Sequence, residues 1–218
     1  MPEGKIQKIW FRFARWLCRV FCTIFFRMKF YGKENIPDKG AFLLISNHQS
    51  YLDPLLCGIT LKRPLHFLAR HTLFKNKLSG PLLTSVNAIP VRRGEADLSA
   101  IKKVIAKLKQ GGGVCLFPEA TRSIDGKIAP FKPGLGLLCR RGSAILVPVV
   151  IDGAMEAWPK GKKIFSPGKK ITVCYGKAIT KEELKNMDDK DLAQTLTDTL
   201  RQMQSDCRLK NGLQPYEY

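Results

Sequence analysis

The sequence predicts an α/β fold: a largely parallel mixed sheet flanked by helices, with an amphipathic helix ahead of it. Three observations carry this. From residue 41 onward, short apolar runs alternate with amphipathic stretches. Helix-start signals open those stretches, at Asp53-Pro54, at Asp97 and at Thr180 with Glu183. A separate helical period occupies the first 26 residues.

In that first segment Lys5, Lys8, Arg12, Arg15 and Arg19 fall within an arc of about 80° on a helical wheel. Trp10, Phe13, Trp16, Leu17, Val20, Phe21 and Ile24 cover the rest. A narrow basic stripe on an aromatic and aliphatic helix suits an element lying in a lipid interface, cations toward headgroups and rings in the acyl boundary. The alternative is a core helix with a solvated basic edge. The longest uncharged run, Val20–Phe26, is far short of the roughly 20 apolar residues that a bilayer crossing needs. The division expected is therefore an interfacial helical segment over residues 1–30 and an α/β domain over 31–218.

Within the domain, Ala41–Ile45 reads as a buried strand, and a helix follows from Asp53-Pro54. Leu65–Ala69 and Ala88–Val91 are further short strands. Asp97 caps a helix with Leu98, Ile101, Val104, Ile105 and Leu108 as its apolar face, and Gly111–Gly113 stops it. Val114–Phe117, Ala144–Ile151 and Ile171–Tyr175 complete the strands. Thr180 and Glu183 form a capping box that opens one last helix toward Leu209.

Of 218 residues, 37 are Lys or Arg and 18 Asp or Glu, a formal net charge of +19, and 44% are hydrophobic. That much apolar surface excludes a disordered tail or a collagen-like repeat. A field this positive draws anionic partners: nucleic acid, an anionic membrane, a phosphorylated metabolite or an acidic carrier protein. Seven cysteines without a CxxC pair point to reduced thiols, with neither a disulfide frame nor a zinc site.

Three polar clusters stand where strands meet loops, the place where ligands sit in open α/β sheets. The first is Asn47-His48-Gln49-Ser50-Tyr51-Leu52-Asp53: a histidine near a carboxylate can serve as a general base, although a loop histidine and an N-cap aspartate are the ordinary alternatives. The second, Ile89-Pro90-Val91-Arg92-Arg93-Gly94, offers two guanidinium groups suited to a phosphate, or a solvated basic turn. The third, Phe117-Pro118-Glu119-Ala120-Thr121-Arg122-Ser123, can hold a polar headgroup, or Glu119 and Arg122 simply pair on the surface. Ser50, Cys57 and Cys115 are alternative acyl nucleophiles.

NHQSYLD, IPVRRG, FPEATRS and ILVPVVI, in that order, resemble the four blocks of the glycerolipid acyltransferase family over about residues 31–180. The resemblance implies a glycerol-phosphate acyltransferase-like fold. It also implies transfer of an acyl group from a thioester to the free hydroxyl of a 1-acyl-glycerol-3-phosphate, or of another lysolipid or alcohol. By the same resemblance His48 is the base and Asp53 its partner, and Arg93 is a phosphate ligand with Arg92 beside it. Glu119, Thr121 and Arg122 are acceptor contacts, Asn47 belongs to the first block and Pro148 to the fourth. The implied partners are a lysophospholipid acceptor, acyl-CoA or acyl carrier protein as donor, and an anionic membrane surface on the cytoplasmic side, without a metal or redox cofactor. Two positions depart from the family pattern: Ala120 stands where the family usually has Gly, and Arg92 where an acidic or polar residue is common. A nucleic-acid-binding module is the reading from another class; it calls for aromatics interleaved with basic residues on one surface, whereas here they gather at the N-terminal helix.

Overall fold

Seven apolar runs pair into one sheet: β1 (Arg27–Tyr31), β2 (Phe42–Ser46), β3 (Leu65–Arg70), β4 (Ala88–Val91), β5 (Gly113–Leu116), β6 (Ile145–Asp152) and β7 (Lys170–Tyr175). This is a computed structural model describing residues 5–92 and 97–218. The strand order is β1-β7-β6-β2-β5-β3-β4. Strands β2 to β6 are mutually parallel, while β7 runs antiparallel to β6 and pairs parallel with β1. The five parallel strands therefore end at one edge, and the loops after β2, β4, β5 and β6 emerge there together.

Both faces of the sheet are covered, which explains why its central strands read as unbroken apolar runs. Along β2, Phe42 and Leu44 enter one core, with Leu56, Val147, Ile151 and Val173. Leu43 and Ile45 enter the other, with Val104, Leu108, Leu146, Leu196 and Leu200. The first core lies under α1 (Lys5–Phe25) and α2 (Asp53–Gly58); the second under α4 (Leu98–Lys109) and α8 (Asp189–Lys210), α3 being Ser79–Ser85, α5 Leu135–Gly142, α6 Ala154–Ala157 and α7 Lys181–Asn186. Gly113 opens β5 directly under the Phe42 ring, where any Cβ would collide with it.

The strands stand where the sequence puts them to within a residue or two, and three expectations change. The last helix is two: Met187 is extended and Asp188 is the N-cap of α8, its carboxylate accepting from Lys190 N at 2.9 Å, so the chain restarts after the capping box of α7. Asp97 does cap α4 by accepting from Ala100 N, but Ala100, Val104 and Leu108 are its buried stripe, while Leu98 is 65% exposed and Ile101 lies outward. Residues 27–30, assigned by sequence to the N-terminal segment, belong to edge strand β1, whose partly buried alternation gives no continuous apolar run.

Helix α1 presents two apolar faces. Cys18, Phe21, Cys22 and Phe25, with Phe26 just beyond, pack on the domain. Ile9, Trp10, Phe13, Trp16, Leu17 and Ile24 are exposed. Arg12, Arg15 and Arg19 run along the border between them, and two of these turn inward: Arg19 Nε donates to Ile59 O at 2.7 Å and Arg15 to Leu61 O, capping carbonyls beyond α2. Among the described residues no helix is long and apolar enough to cross a membrane.

Candidate active site

The loop between β2 and α2 carries His48, and its shape is fixed from behind. Asn47 Nδ2 donates to Ile151 O at 2.9 Å while its Oδ1 accepts from Ile151 N at 2.8 Å, and Gln49 Nε2 donates to the same carbonyl. Asn47 is 2% exposed and both ends of its amide are engaged, so it is a strut between β2 and β6 and not an acceptor contact.

Asp53 is fully buried and does not cap α2. Its Oδ2 turns back to the loop, accepting from the N–H groups of Gln49 and Ser50 at 2.7 Å each and meeting His48 Nδ1 at 2.7 Å. An oxygen that receives two backbone donors is an acceptor, so the imidazole proton sits on Nδ1 and the Nε2 lone pair is left for substrate. The ring lies against Phe117 with centroids 4.3 Å apart, and the residue is 7% exposed. A buried and oriented imidazole of this kind is placed to act as a general base.

The loop after β5 closes over this pair. Glu119 Oε1 accepts from His48 N at 2.9 Å, and Ser123 N donates to His48 O at 2.7 Å, so both backbone groups of the histidine are held by the third cluster. Burial pushes the Glu119 carboxyl up to about 7, against the pull of the His48 N–H. Ala120 adopts φ 56°, the left-handed conformation in which an alanine costs about 1–2 kcal/mol and a glycine little. The local turn is thus the one a glycine would make.

Arg122 does not pair with Glu119; its guanidinium lies 3.7 Å above the Tyr51 ring. Thr121 is exposed, with Lys160 Nζ at 3.5 Å from its Oγ1. Tyr51 in turn stands 5.5 Å from the Trp158 ring, and the Trp158 carbonyl accepts from Ser50 Oγ at 2.8 Å and from Tyr51 N at 3.2 Å. Ser50 is therefore tied up, and Cys57 and Cys115 are fully buried, burial raising the Cys115 thiol well above its ordinary value. None of the three is placed as an acyl nucleophile. Among the described residues no cluster of His, Cys, Asp or Glu is fit to hold a metal ion.

A profile of the Acyltransferase family matches residues 27–152, more than half of the sequence, including His48, Asp53, Glu119 and Arg122. The chain belongs to the acyltransferase family. It is 31% identical over 176 residues to the 1-acyl-sn-glycerol-3-phosphate acyltransferase of Bacillus subtilis, covering 80% of this chain and 85% of that protein. It is 26% identical over 159 residues to the chloroplastic 1-acyl-sn-glycerol-3-phosphate acyltransferase LPAT1 of Arabidopsis thaliana, covering 70% of this chain but only 44% of that longer protein. The crystal structure of the 1-acyl-sn-glycerophosphate (LPA) acyltransferase PlsC from Thermotoga maritima superposes with a TM-score of 0.72 at 26% identity, over 91% of this chain and 78% of that one.

In this acyltransferase the structure gathers His48, Asp53, Glu119, Thr121 and Arg122 at one edge of the sheet. Arg92 follows β4 at that edge, exposed, its N–H donating to Asp97 Oδ2 at 2.9 Å. Arg93 lies outside the described residues. Pro148, expected to be part of the site, is buried mid-strand in β6 opposite Ile45, its carbonyl accepting from Gly176 N at 2.8 Å; it shapes the sheet and does not face the loops. Reasoning from motifs passes over Phe117 and Tyr51 as contact residues although both lie inside the quoted clusters, and it misses Trp158 and Lys160, which no block contains. The available signal is their place just after β6, at the same carboxyl edge.

Proposed function

We propose that the protein acylates the free hydroxyl of 1-acyl-glycerol-3-phosphate, giving phosphatidic acid, with His48 as general base. Nε2 of His48 takes the hydroxyl proton as that oxygen attacks the carbonyl carbon of an acyl thioester. The tetrahedral intermediate collapses with loss of the thiolate, which receives the proton from the imidazolium. Asp53 holds the tautomer and stabilises the imidazolium, Arg93 with Arg92 beside it binds the acceptor phosphate, and Thr121 and Arg122 shape the rest of the headgroup site. The donor is acyl-CoA or acyl carrier protein, each anionic and drawn by the positive field. On this proposal no metal or redox cofactor takes part in the transfer. The enzyme works from an anionic membrane surface on the cytoplasmic side, resting on the exposed face of α1 without crossing.

The observation that carries the chemistry is the His48 Nδ1 to Asp53 Oδ2 contact of 2.7 Å, with two backbone N–H groups fixing the carboxylate. The test is transfer of a radiolabelled acyl thioester to lysophosphatidic acid by the wild type and by His48→Ala. Loss of about 10²–10⁴-fold in the folded variant is expected. Retained transfer overturns the mechanism, and an acyl adduct formed on the protein with donor alone overturns direct transfer.

A further inference from the structure

Between α6 and β7 the chain forms a loop that none of the four sequence blocks covers. It is fastened on one side to the catalytic loop, because the Trp158 carbonyl receives Ser50 Oγ and Tyr51 N. On the other it is fastened to the end of α1. The Phe165 ring packs edge-on to Phe21, Phe25 and Phe26, with centroids 5.2, 5.0 and 5.7 Å away, and Gly168 N donates to Phe25 O at 2.7 Å. Trp158 Nε1 donates to Lys162 O at 3.0 Å and Ser166 N to Ala157 O at 2.7 Å, closing the loop on itself.

The tip is built the other way round from its base. Lys160, Lys162 and Lys163 are exposed, and Ile164, between them and the half-buried Phe165, is 78% exposed. From Trp158 to Lys170 there are five lysines and no acidic residue. A large aliphatic side chain held in water beside lysines, on a loop whose base is ordered, has the composition of a lipid-interfacial element. Through Phe165 and Gly168 it also adjoins the end of α1, a helix that itself exposes Ile9, Trp10, Phe13, Trp16, Leu17 and Ile24.

We propose that this loop is a second lipid-contacting element, docking on an anionic bilayer beside α1 with Ile164 in the headgroup and acyl boundary and Lys162 and Lys163 on lipid phosphates. The proposal rests on the membrane reading of α1 given above. Lysines alone would serve an acidic protein partner; that partner leaves Ile164 and the join to α1 without a role. The docked loop brings Trp158, Tyr51 and the Arg122 guanidinium above it to the membrane plane, so a lysolipid leaving the bilayer reaches His48 without crossing open water.

Sedimentation with phosphatidylcholine vesicles, with and without phosphatidylglycerol, tests this. Each lysine near an anionic surface is worth about 1 kcal/mol, so Lys162→Gln with Lys163→Gln should cut partitioning onto the anionic vesicles by roughly twentyfold to thirtyfold and leave binding to neutral vesicles unchanged. Ile164→Ser should weaken binding to both, and Ile164→Trp should strengthen it. With a short-chain lysophosphatidic acid that stays monomeric, turnover by the lysine variant should match the wild type. Unchanged partitioning of the lysine and Ile164 variants overturns the loop proposal, while Trp16→Ser in parallel reports separately on α1. If vesicle binding is unchanged and only turnover with a carrier-protein donor falls, the loop serves an acidic protein and the lipid assignment is overturned.

Discussion

Three side chains determine what the site can do: the His48 imidazole is held by the Asp53 carboxylate, and Asp53 and Glu119 are held by backbone N–H groups of the loop after β2. Asp53 Oδ2 accepts two N–H groups and the imidazole, so Asp53→Asn keeps the shape while removing the charge that stabilises the imidazolium. Turnover should fall by about 10²–10⁴-fold with the Tm little changed; a folded Asp53→Asn enzyme of near wild-type rate would remove Asp53 from the mechanism. Glu119 makes a prediction about pH. Its carboxyl, ordinarily near 4.5, is raised to about 7 by burial in the folded protein. The unfolded chain therefore gives up this proton before the native one does, and the stability tied to the neutral form is complete below about pH 4.5 and lost as the pH rises through about 7. Glu119→Gln keeps an oxygen for the His48 N–H and cannot ionise. Its Tm advantage over the wild type should widen from pH 5 to pH 8, and a gap independent of pH would show that Glu119 is not raised.

At the scale of elements, α1 is part of the core as well as an appendage. Cys22 and Phe26 are almost wholly buried against β1, β7 and α2, so deleting residues 1–25 should expose the first core and destabilise the domain severely. Membrane contact is better tested on the outer face. Phe13→Ser with Trp16→Ser should keep the Tm within a few degrees and weaken binding to anionic vesicles by at least tenfold, each buried aromatic contributing about 1.5–3 kcal/mol. Unchanged binding by that folded variant would refute the docking of α1. This division also shows what the sequence makes legible. The wheel separates cations from rings, yet two apolar faces on one helix look alike until a partner covers one of them. Strands β2, β5 and β6 are legible because they are buried on both sides; β1 is an edge, half-buried, and reads as nothing in particular. The break at Asp188 is concealed because helical period continues across it, and only the N-cap residue betrays it. His48, Asp53, Glu119 and Arg122 stand out through the order of the four blocks, since spacing alone leaves a loop histidine, an N-cap aspartate and a surface ion pair equally open. Asn47 and Pro148 lie in the same blocks for the sheet's sake, and Trp158 comes from a loop with no motif at all.

The whole molecule adds a term that no contact contains. Residues 1–34 net +6 and residues 181–218 net −2, leaving +15 on residues 35–180, which hold β2 to β7 and the loops at the carboxyl edge of the parallel strands. Parallel strands bring those loops to one side, so in the proposed reaction an anionic donor and an anionic acceptor would both approach that edge of a positively charged molecule. Long-range attraction of this kind acts on encounter and is screened within about 10 Å at 0.1 M salt, whereas a contact such as His48 to Asp53 is buried and scarcely screened. Two donors separate the effects. With acyl-CoA or acyl carrier protein and a monomeric short-chain acceptor, kcat/KM should fall by roughly tenfold or more as salt rises from about 0.02 to 0.5 M, the scale on which steered association is lost. With an uncharged N-acetylcysteamine thioester the acceptor's share of the attraction remains and the donor's is absent, so the decline should be clearly shallower. kcat at saturation should hardly move for either donor, since the proton transfer at Nε2 takes place after encounter. Equal salt dependence for the charged and uncharged donors would mean that the positive field serves the acceptor or the membrane alone, and donor attraction would have to be withdrawn.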